Sequence, residues 1–161
     1  MKRIITFLLA AVILLACIPA AYAAGGYDKS NLHYDNAFEF LDLLNQKRAS
    51  LGLSPFTMDQ ALLNGASIRA YEQSISFGHT RPDGSKYSTV CANAHAECVH
   101  YWFPSDQSTP QNTLKEFLNS PPHRAILLDS QYHAVGVGAY EVNGRKNRDK
   151  IELSFELADE E

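Results

Sequence analysis

Six histidines (His33, His79, His95, His100, His123 and His133) are the side chains of this sequence best suited to proton or metal chemistry. Imidazole is the one group whose unperturbed charge changes between pH 5 and 8. A single histidine is more often a surface or core group than a ligand, so context has to select among them. His123 stands in Ser120-Pro121-Pro122-His123-Arg124. The residue before a proline avoids the α region, and proline suits the first helical position, so Ser120 reads as an N-cap and His123 falls in the first turn. The positive end of the helix dipole there disfavours imidazolium and keeps the ring neutral, able to bind metal or accept a proton. His79 follows Gly78 at a helix end, in a loop that can border a cleft. Glu97 is the third candidate, a carboxylate in a segment poor in charge, beside Cys98 and close to Tyr101-Trp102-Phe103; a solvated acid is the alternative. Ser120 and His123 form a Ser/His pair in principle, although a capping serine accounts for the same residue more cheaply. The sequence contains no Gly-x-Ser-x-Gly elbow, His-Glu-x-x-His motif, phosphate-cradling glycine loop or dinucleotide fingerprint.

The elements that would hold these groups follow from hydrophobic period. Ala37, Phe40, Leu41, Leu44 and Arg48 recur at helical spacing after Asp35, the expected N-cap, and Gly52 supplies a stop. A second helix is expected from Thr57 to Phe77, with Met58, Leu62, Ala66 and Ala70 on or near one stripe and Gly78 free to turn left-handed. Pro82-Asp83-Gly84 is turn chemistry. Alternation at Val99, Tyr101 and Phe103 hints at a strand. A third helix is expected over Gln111 to Asn119 and a short fourth over Pro121 to Leu128. Val135, Val137 and Ala139 alternate with glycines, and Ile151, Leu153, Phe155 and Leu157 alternate with polar residues, so an antiparallel hairpin turning at Asn143-Gly144 closes the chain. Helices first and strands last argue for an α+β layer fold.

The first 23 residues read as a cleavable signal peptide: Lys2 and Arg3, an apolar run from Ile4 to Ala16, then Ala21-Tyr22-Ala23. Such a run rises only about 20 Å as a helix, short for a ~30 Å hydrocarbon core. The alternatives are a membrane anchor, or a lipoprotein attached at Cys17, because Leu14-Leu15-Ala16-Cys17 resembles a lipobox. Cleavage after Ala23 would leave 12 basic residues against 18 acidic ones, a net charge of −6. An acidic chain without a basic stripe is a poor partner for nucleic acid or anionic lipid heads. Residues 24–34 read as a frayed lead-in, residues 35–158 as one domain and residues 159–161 as an acidic tail end. In an exported chain Cys91 and Cys98 are expected to form a disulfide, with two buried thiols as the alternative. A bridge over so short a loop would add about 2–3 kcal/mol.

Taken together, the motifs resemble the CAP superfamily (cysteine-rich secretory, antigen 5 and pathogenesis-related proteins) in its compact bacterial SCP-like branch. The resemblance runs from about Phe38 to Phe155. It rests on Leu41-Leu44-Asn45-Arg48 with Gly52-Leu53-Ser54-Pro55, on Leu62, Ala66, Arg69-Ala70 and Glu72, and on His79-Thr80-Arg81-Pro82-Asp83-Gly84-Ser85. Ser120-Pro121-Pro122-His123-Arg124 with Ile126-Leu127, then Tyr132-His133-Ala134-Val135-Gly136-Val137-Gly138, completes it. The resemblance implies a three-layer α-β-α sandwich with a mainly antiparallel central sheet. It also implies a cleft with two histidines and two acids that binds a divalent metal in some members. By position His79 and His123 match the histidines, and Glu97 matches the acid of the Gly-Glu-Asn block, here flanked by Ala96 and Cys98. Ser120 stands where many relatives place the second acid, and Ile126 replaces the usual Asn. A set of His79, His123 and Glu97 is near the minimum for zinc and implies weak binding.

The family resemblance implies no general enzymatic mechanism. The expected function is therefore a secreted, monomeric, non-enzymatic binding module whose His/Glu cleft (His79, Glu97, His123, Ser120) takes a divalent metal such as zinc, or a small apolar or lipid ligand. Its partner would be a small molecule, a lipid or a cell-surface component, with no nucleic acid and no membrane-spanning segment after cleavage. The alternatives are a metal-assisted hydrolase working through the same cleft and a cell-surface interaction protein whose cleft is vestigial.

Overall fold

The computed structural model describes residues 27–101 and 109–141, together with the backbone of 154–158. The expected signal peptide, Cys17, the Asn143-Gly144 turn, Phe103, Ile151, Leu153 and the acidic tail end lie outside the described residues.

Helix α1 spans Tyr34–Ser50 and buries Ala37, Phe40, Leu41, Leu44 and Arg48, the stripe that the 3.6-residue period marks out. Its N-cap is His33 rather than Asp35, which instead lies in the first turn and complements the helix dipole. Gly52 ends the helix region at φ 75°. The second helix starts three residues later than its apolar period suggests. Thr57–Met58 form strand β1, and α2 runs Gln60–Ile75 with the Asp59 side chain accepting from the Leu62 N–H at 2.9 Å. The Asp59 cap, a stronger N-terminal signal than Thr57, sets the boundary. α2 also stops at Ile75 rather than Phe77, ahead of Gly78 at φ 140°.

Strand β2 is Ala96–Cys98. The strand read at Val99 to Phe103 is thus displaced toward the N-terminus. The alternation that matters is Ala96 and Cys98 in the core against Glu97 on the opposite face. Helix α3 spans Pro110–Asn119 with Thr109 as N-cap, and α4 spans Pro121–Leu127 with Ser120 at its N-cap. Strands β3 (Ala134–Gly138) and β4 (Ser154–Ala158) pair antiparallel, with Val135 opposite Leu157 and Val137 opposite Phe155. The sheet order is β1-β3-β4-β2, in which β4 and β2 are antiparallel and β1 joins β3 in parallel.

Two helix layers sandwich this sheet. On one face Val135, Val137, Ala96 and Cys98 pack with Phe40, Leu44, Phe117 and Leu127 of α1, α3 and α4. On the other, Gly136 and Gly138 let the α2 backbone come so close that a Cβ at Gly136 would sit 2.1 Å from the Leu62 carbonyl carbon. Arg48 is fully buried in the first layer. Its guanidinium donates to the carbonyls of Ser54, Leu127 and Asp129 at 2.8–2.9 Å and lies 3.7 Å above the Phe56 ring. One side chain of α1 thereby satisfies carbonyls at the C-terminal end of α4.

Residues 27–33 are docked rather than frayed. Leu32 bridges Tyr140, His33 Nε2 lies 2.7 Å from Glu141, and Tyr27 packs against Tyr71 and Tyr140. The expected disulfide is not formed: Cys91 and Cys98 are both free thiols. Cys98 points into the core from β2, where burial and then the Glu97 charge push its pKa up to about 12, while Cys91 sits half-buried in the preceding loop. No described helix is long and apolar enough to cross a membrane.

Candidate functional site

The site begins with a buried arginine. Arg69 lies on the stripe of α2 that also carries Leu62, Ala66 and Gln73, so the helix periodicity forces it into the interior. Its Nε donates to Glu97 Oε1 at 2.7 Å, Nη1 to Glu72 Oε2 at 2.8 Å and Nη2 to the Gly78 carbonyl at 2.8 Å. Burial opposes its charge, but the hydrogen bonds and charges of Glu97 and Glu72 outweigh burial and raise its pKa. Glu72 is itself gripped by Arg81, with Nη2 at 2.6 Å and Nε at 3.0 Å. The Gln73 amide closes the loop by donating to the Gly78 carbonyl and accepting from its N–H.

His79 is the outward end of this chain of charges. Its Nδ1 lies 2.8 Å from Glu97 Oε2, and its side chain is 57% exposed while that of Glu97 is fully buried. An ionised carboxylate only accepts, so His79 donates Nδ1–H and, when neutral, keeps its lone pair on the outward Nε2. Arg69 thus fixes Glu97, and Glu97 fixes the orientation of His79. The ring stands 6.3 Å from Tyr87 at the edge of an open cavity of about 540 Å³.

His123 approaches from α4. It packs edge-on against Phe117 at 5.0 Å; burial and then the nearby His79 charge lower its pKa. That keeps it neutral, as its helix position suggests. His100, 5.6 Å from the same Phe117, is also held below the ordinary histidine range: burial and His123 depress it, and Glu116 opposes them. Ser120 occupies the N-cap of α4, but its hydroxyl makes no capping bond. His33 pairs with Glu141, and His95 lines the cavity.

His79 and Glu97 are in contact, with Glu97 behind the ring, whereas His123 is linked to His79 only through the charge that lowers its pKa and does not line the cavity beside it. The Glu97 oxygens already serve Arg69 and the His79 Nδ1–H. Among the described residues no group of three His, Cys, Asp or Glu is arranged to hold a metal. The residues present do not fit a three-ligand centre. What fits is a carboxylate that orients an imidazole by its second nitrogen.

Arg69, Glu72 and Arg81 were not singled out as site residues from sequence. The signal was available: an Arg and a Glu three apart on the apolar stripe of a helix must find each other or a buried partner. The cavity-lining Ser85, Lys86 and Tyr87 carried no comparable signal.

No curated protein matches the chain. Among solved structures, it is similar to an extracellular protein containing an SCP domain from Bacillus anthracis, with 21% identity and TM-score 0.62, covering 76% of this chain and 40% of that one. It is also similar to a cysteine-rich secretory protein from Staphylococcus aureus, with 25% identity and TM-score 0.56, covering 78% and 39%. An outer surface protein from Borrelia burgdorferi gives 16% identity and TM-score 0.59, covering 78% and 94%. The chain thus spans about two fifths of the length of the first two of these relatives. The model of the cysteine-rich secretory protein family, CAP, matches residues 41–152, most of the chain. With the sandwich and the His79–Glu97 pair in place, the chain belongs to the CAP family of cysteine-rich secretory proteins.

Proposed function

We propose that the protein is an extracytoplasmic, non-enzymatic binding module whose ligand is received at the cleft between His79 and His123. The observation that carries this reading is the His79–Glu97 pair. A fully buried carboxylate, itself held by a fully buried arginine, orients a ring that is more than half exposed. Buried charge is costly, and a fold with a purely structural need could fill the same space with apolar side chains. The arrangement makes sense if the outward Nε2 has to meet something. The family assignment, the description of the Bacillus anthracis protein as extracellular and that of the Borrelia burgdorferi protein as an outer surface protein support placement outside the cytoplasm.

A divalent metal at this cleft would be held by His79 Nε2 and His123 only, with Glu97 orienting the first. Two imidazoles fall short of the three protein ligands of a catalytic zinc site, so the affinity would be weak. Zinc titration of the full chain, followed through the histidine ring resonances, tests the reading. Saturable shifts at His79 and His123, lost in His79→Ala, are expected. Unmoved rings at both positions would reject the cleft reading and favour a surface-interaction protein with a vestigial cleft. Turnover of an ester or peptide that disappears in His79→Ala would favour the metal-assisted hydrolase instead.

A further inference from the structure

The cavity beside His79 has a wall whose chemistry differs from that of the whole chain. The sequence carries 18 acidic residues against 14 basic ones, yet among the described residues no Asp or Glu lines this cavity. Lys86, His79 and His95 do line it, with the hydroxyl-bearing Thr80, Ser85 and Tyr87 between them. The charge of Glu97, behind His79, is matched by Arg69. Asp83, next to the wall, accepts from both the N–H and the hydroxyl of Ser85 and helps set the loop.

The frame is braced before any ligand arrives. Thr80 bridges Lys86, the Arg81 N–H donates to the Ser85 carbonyl, and the Gly84 N–H donates to the Arg81 carbonyl, both at 2.9 Å. Gly84 takes φ 85°, which a side chain would resist. Arg81 ties this turn to Glu72 of α2, and the Tyr87 hydroxyl donates to the His95 carbonyl at 3.0 Å. A pre-ordered loop loses little freedom on binding. At about 540 Å³ the cavity is of small-molecule size.

We propose that this groove binds a ligand carrying an oxyanion (a phosphate, sulfate or carboxylate) on a hydroxyl-bearing scaffold, with Lys86 as its cationic anchor. The proposal rests on the reading of the His79 cleft as a binding site, and it names the class of ligand. Lys86 meets the oxyanion through a charge-assisted bond, the strong kind at an exposed site. The Ser85 and Tyr87 hydroxyls, whose protons go to Asp83 and the His95 carbonyl, accept from the scaffold hydroxyls, and Thr80 can donate or accept. The oxyanion can be presented in solution or on a lipid headgroup.

The test titrates the full chain with glucose 6-phosphate, glucose, and vesicles of phosphatidylcholine with and without phosphatidylinositol, read by amide and ring resonances and by vesicle co-sedimentation. Glucose 6-phosphate is expected to shift residues 79–88 and His95 with millimolar affinity, and glucose much less. Lys86→Ala should weaken the phosphate response about tenfold while Lys86→Arg retains it. Phosphatidylinositol-dependent sedimentation lost in Lys86→Ala would equally support the proposal and make a headgroup the source. Silence toward glucose 6-phosphate and toward the vesicles, or equal responses in wild type and Lys86→Ala, would overturn it. Zinc is the separate control. A chain that answers zinc but no oxyanion therefore refutes this proposal alone, and a chain silent to zinc refutes the metal arm of the cleft.

Discussion

Replacing Gly136 by Ala should strongly destabilise this protein. The new Cβ would lie 2.1 Å from the Leu62 carbonyl carbon, 2.2 Å from its oxygen and 2.5 Å from the Leu63 nitrogen, all backbone atoms of α2. Reaching the 3.4 Å of ordinary contact requires a movement of about 1.3 Å between β3 and α2. No side chain can rotate away to provide it. The whole helix has to lift, and with it the packing of Leu62 and Ala66, both fully buried. Overpacking of a dense core costs about 1–3 kcal/mol, and a backbone-against-backbone clash belongs at or above the top of that range. Gly52→Ala is the control. It has φ 75° and nothing within 4 Å of the new Cβ, so its cost is conformational strain alone, about 1–2 kcal/mol. Urea denaturation of the two variants and wild type should give midpoints in the order wild type, Gly52→Ala, Gly136→Ala, with similar slopes. If Gly136→Ala lost less than about 1 kcal/mol, the close approach of α2 to the sheet, and with it the placement of Arg69, would be wrong.

Arg69→Met should cost about 3–5 kcal/mol in thermal or chemical denaturation, because it leaves the buried Glu97 carboxylate without its arginine and Glu72 with Arg81 alone; a loss below about 1 kcal/mol would contradict the network. Glu97→Gln should leave the fold intact by circular dichroism but shift the His79 ring resonances, since an amide can face Nδ1 with either its donor or its acceptor. A thiol reagent should modify Cys91 in the native protein and reach Cys98 only on unfolding, given a thiol fully buried and held as its protonated form. Folding depresses the pKa of both His100 and His123, so the unfolded chain binds more protons near neutrality. Their contribution is complete above the unfolded value of about 6.5 and is lost as pH falls below it toward the folded values. Melting temperature should therefore drop from about pH 7.5 to about pH 5.5, less steeply in His100→Gln, and a slope unchanged by that substitution would refute the assignment.

Much of the layer structure could be read directly. The apolar stripe of α1 and the alternation around Val135 and Val137 are periodic signals long enough to survive their surroundings. Errors gathered where signals were short. Thr57–Met58 reads as the start of α2 because two residues cannot display a period, and only pairing with Ala134–Val135 makes them a strand. β2 is three residues long, and its neighbour β4 decides its limits from across the sheet. The cysteine pair misled for a related reason. Spacing says that two thiols can meet, whereas the face of the strand on which Cys98 stands decides that it enters the core. At the site, His79 and His123 were legible through turn and cap chemistry. The role of Glu97 was not, since whether a carboxylate stands in front of an imidazole or behind it depends on Arg69, 28 residues away along the chain.

The strand order carries a consequence for how the chain can fold as it is made. Of the described strands, β3 and β4 occupy the middle of the sheet yet come last in the chain, while the earlier β1 and β2 lie at the edges. A chain emerging amino-terminus first, from a ribosome or through a membrane pore, has nothing between its edge strands until residue 134 appears and cannot close the sheet before residue 158. Until then the faces of α1 and α2 have no sheet to cover, and Arg69 waits for a Glu97 that β4 has yet to anchor. Folding is dominated by long-range contacts and is correspondingly slow. Such a protein stays pliable while it is threaded and becomes rigid only once nearly all of it has passed. That schedule would suit the extracytoplasmic placement proposed above.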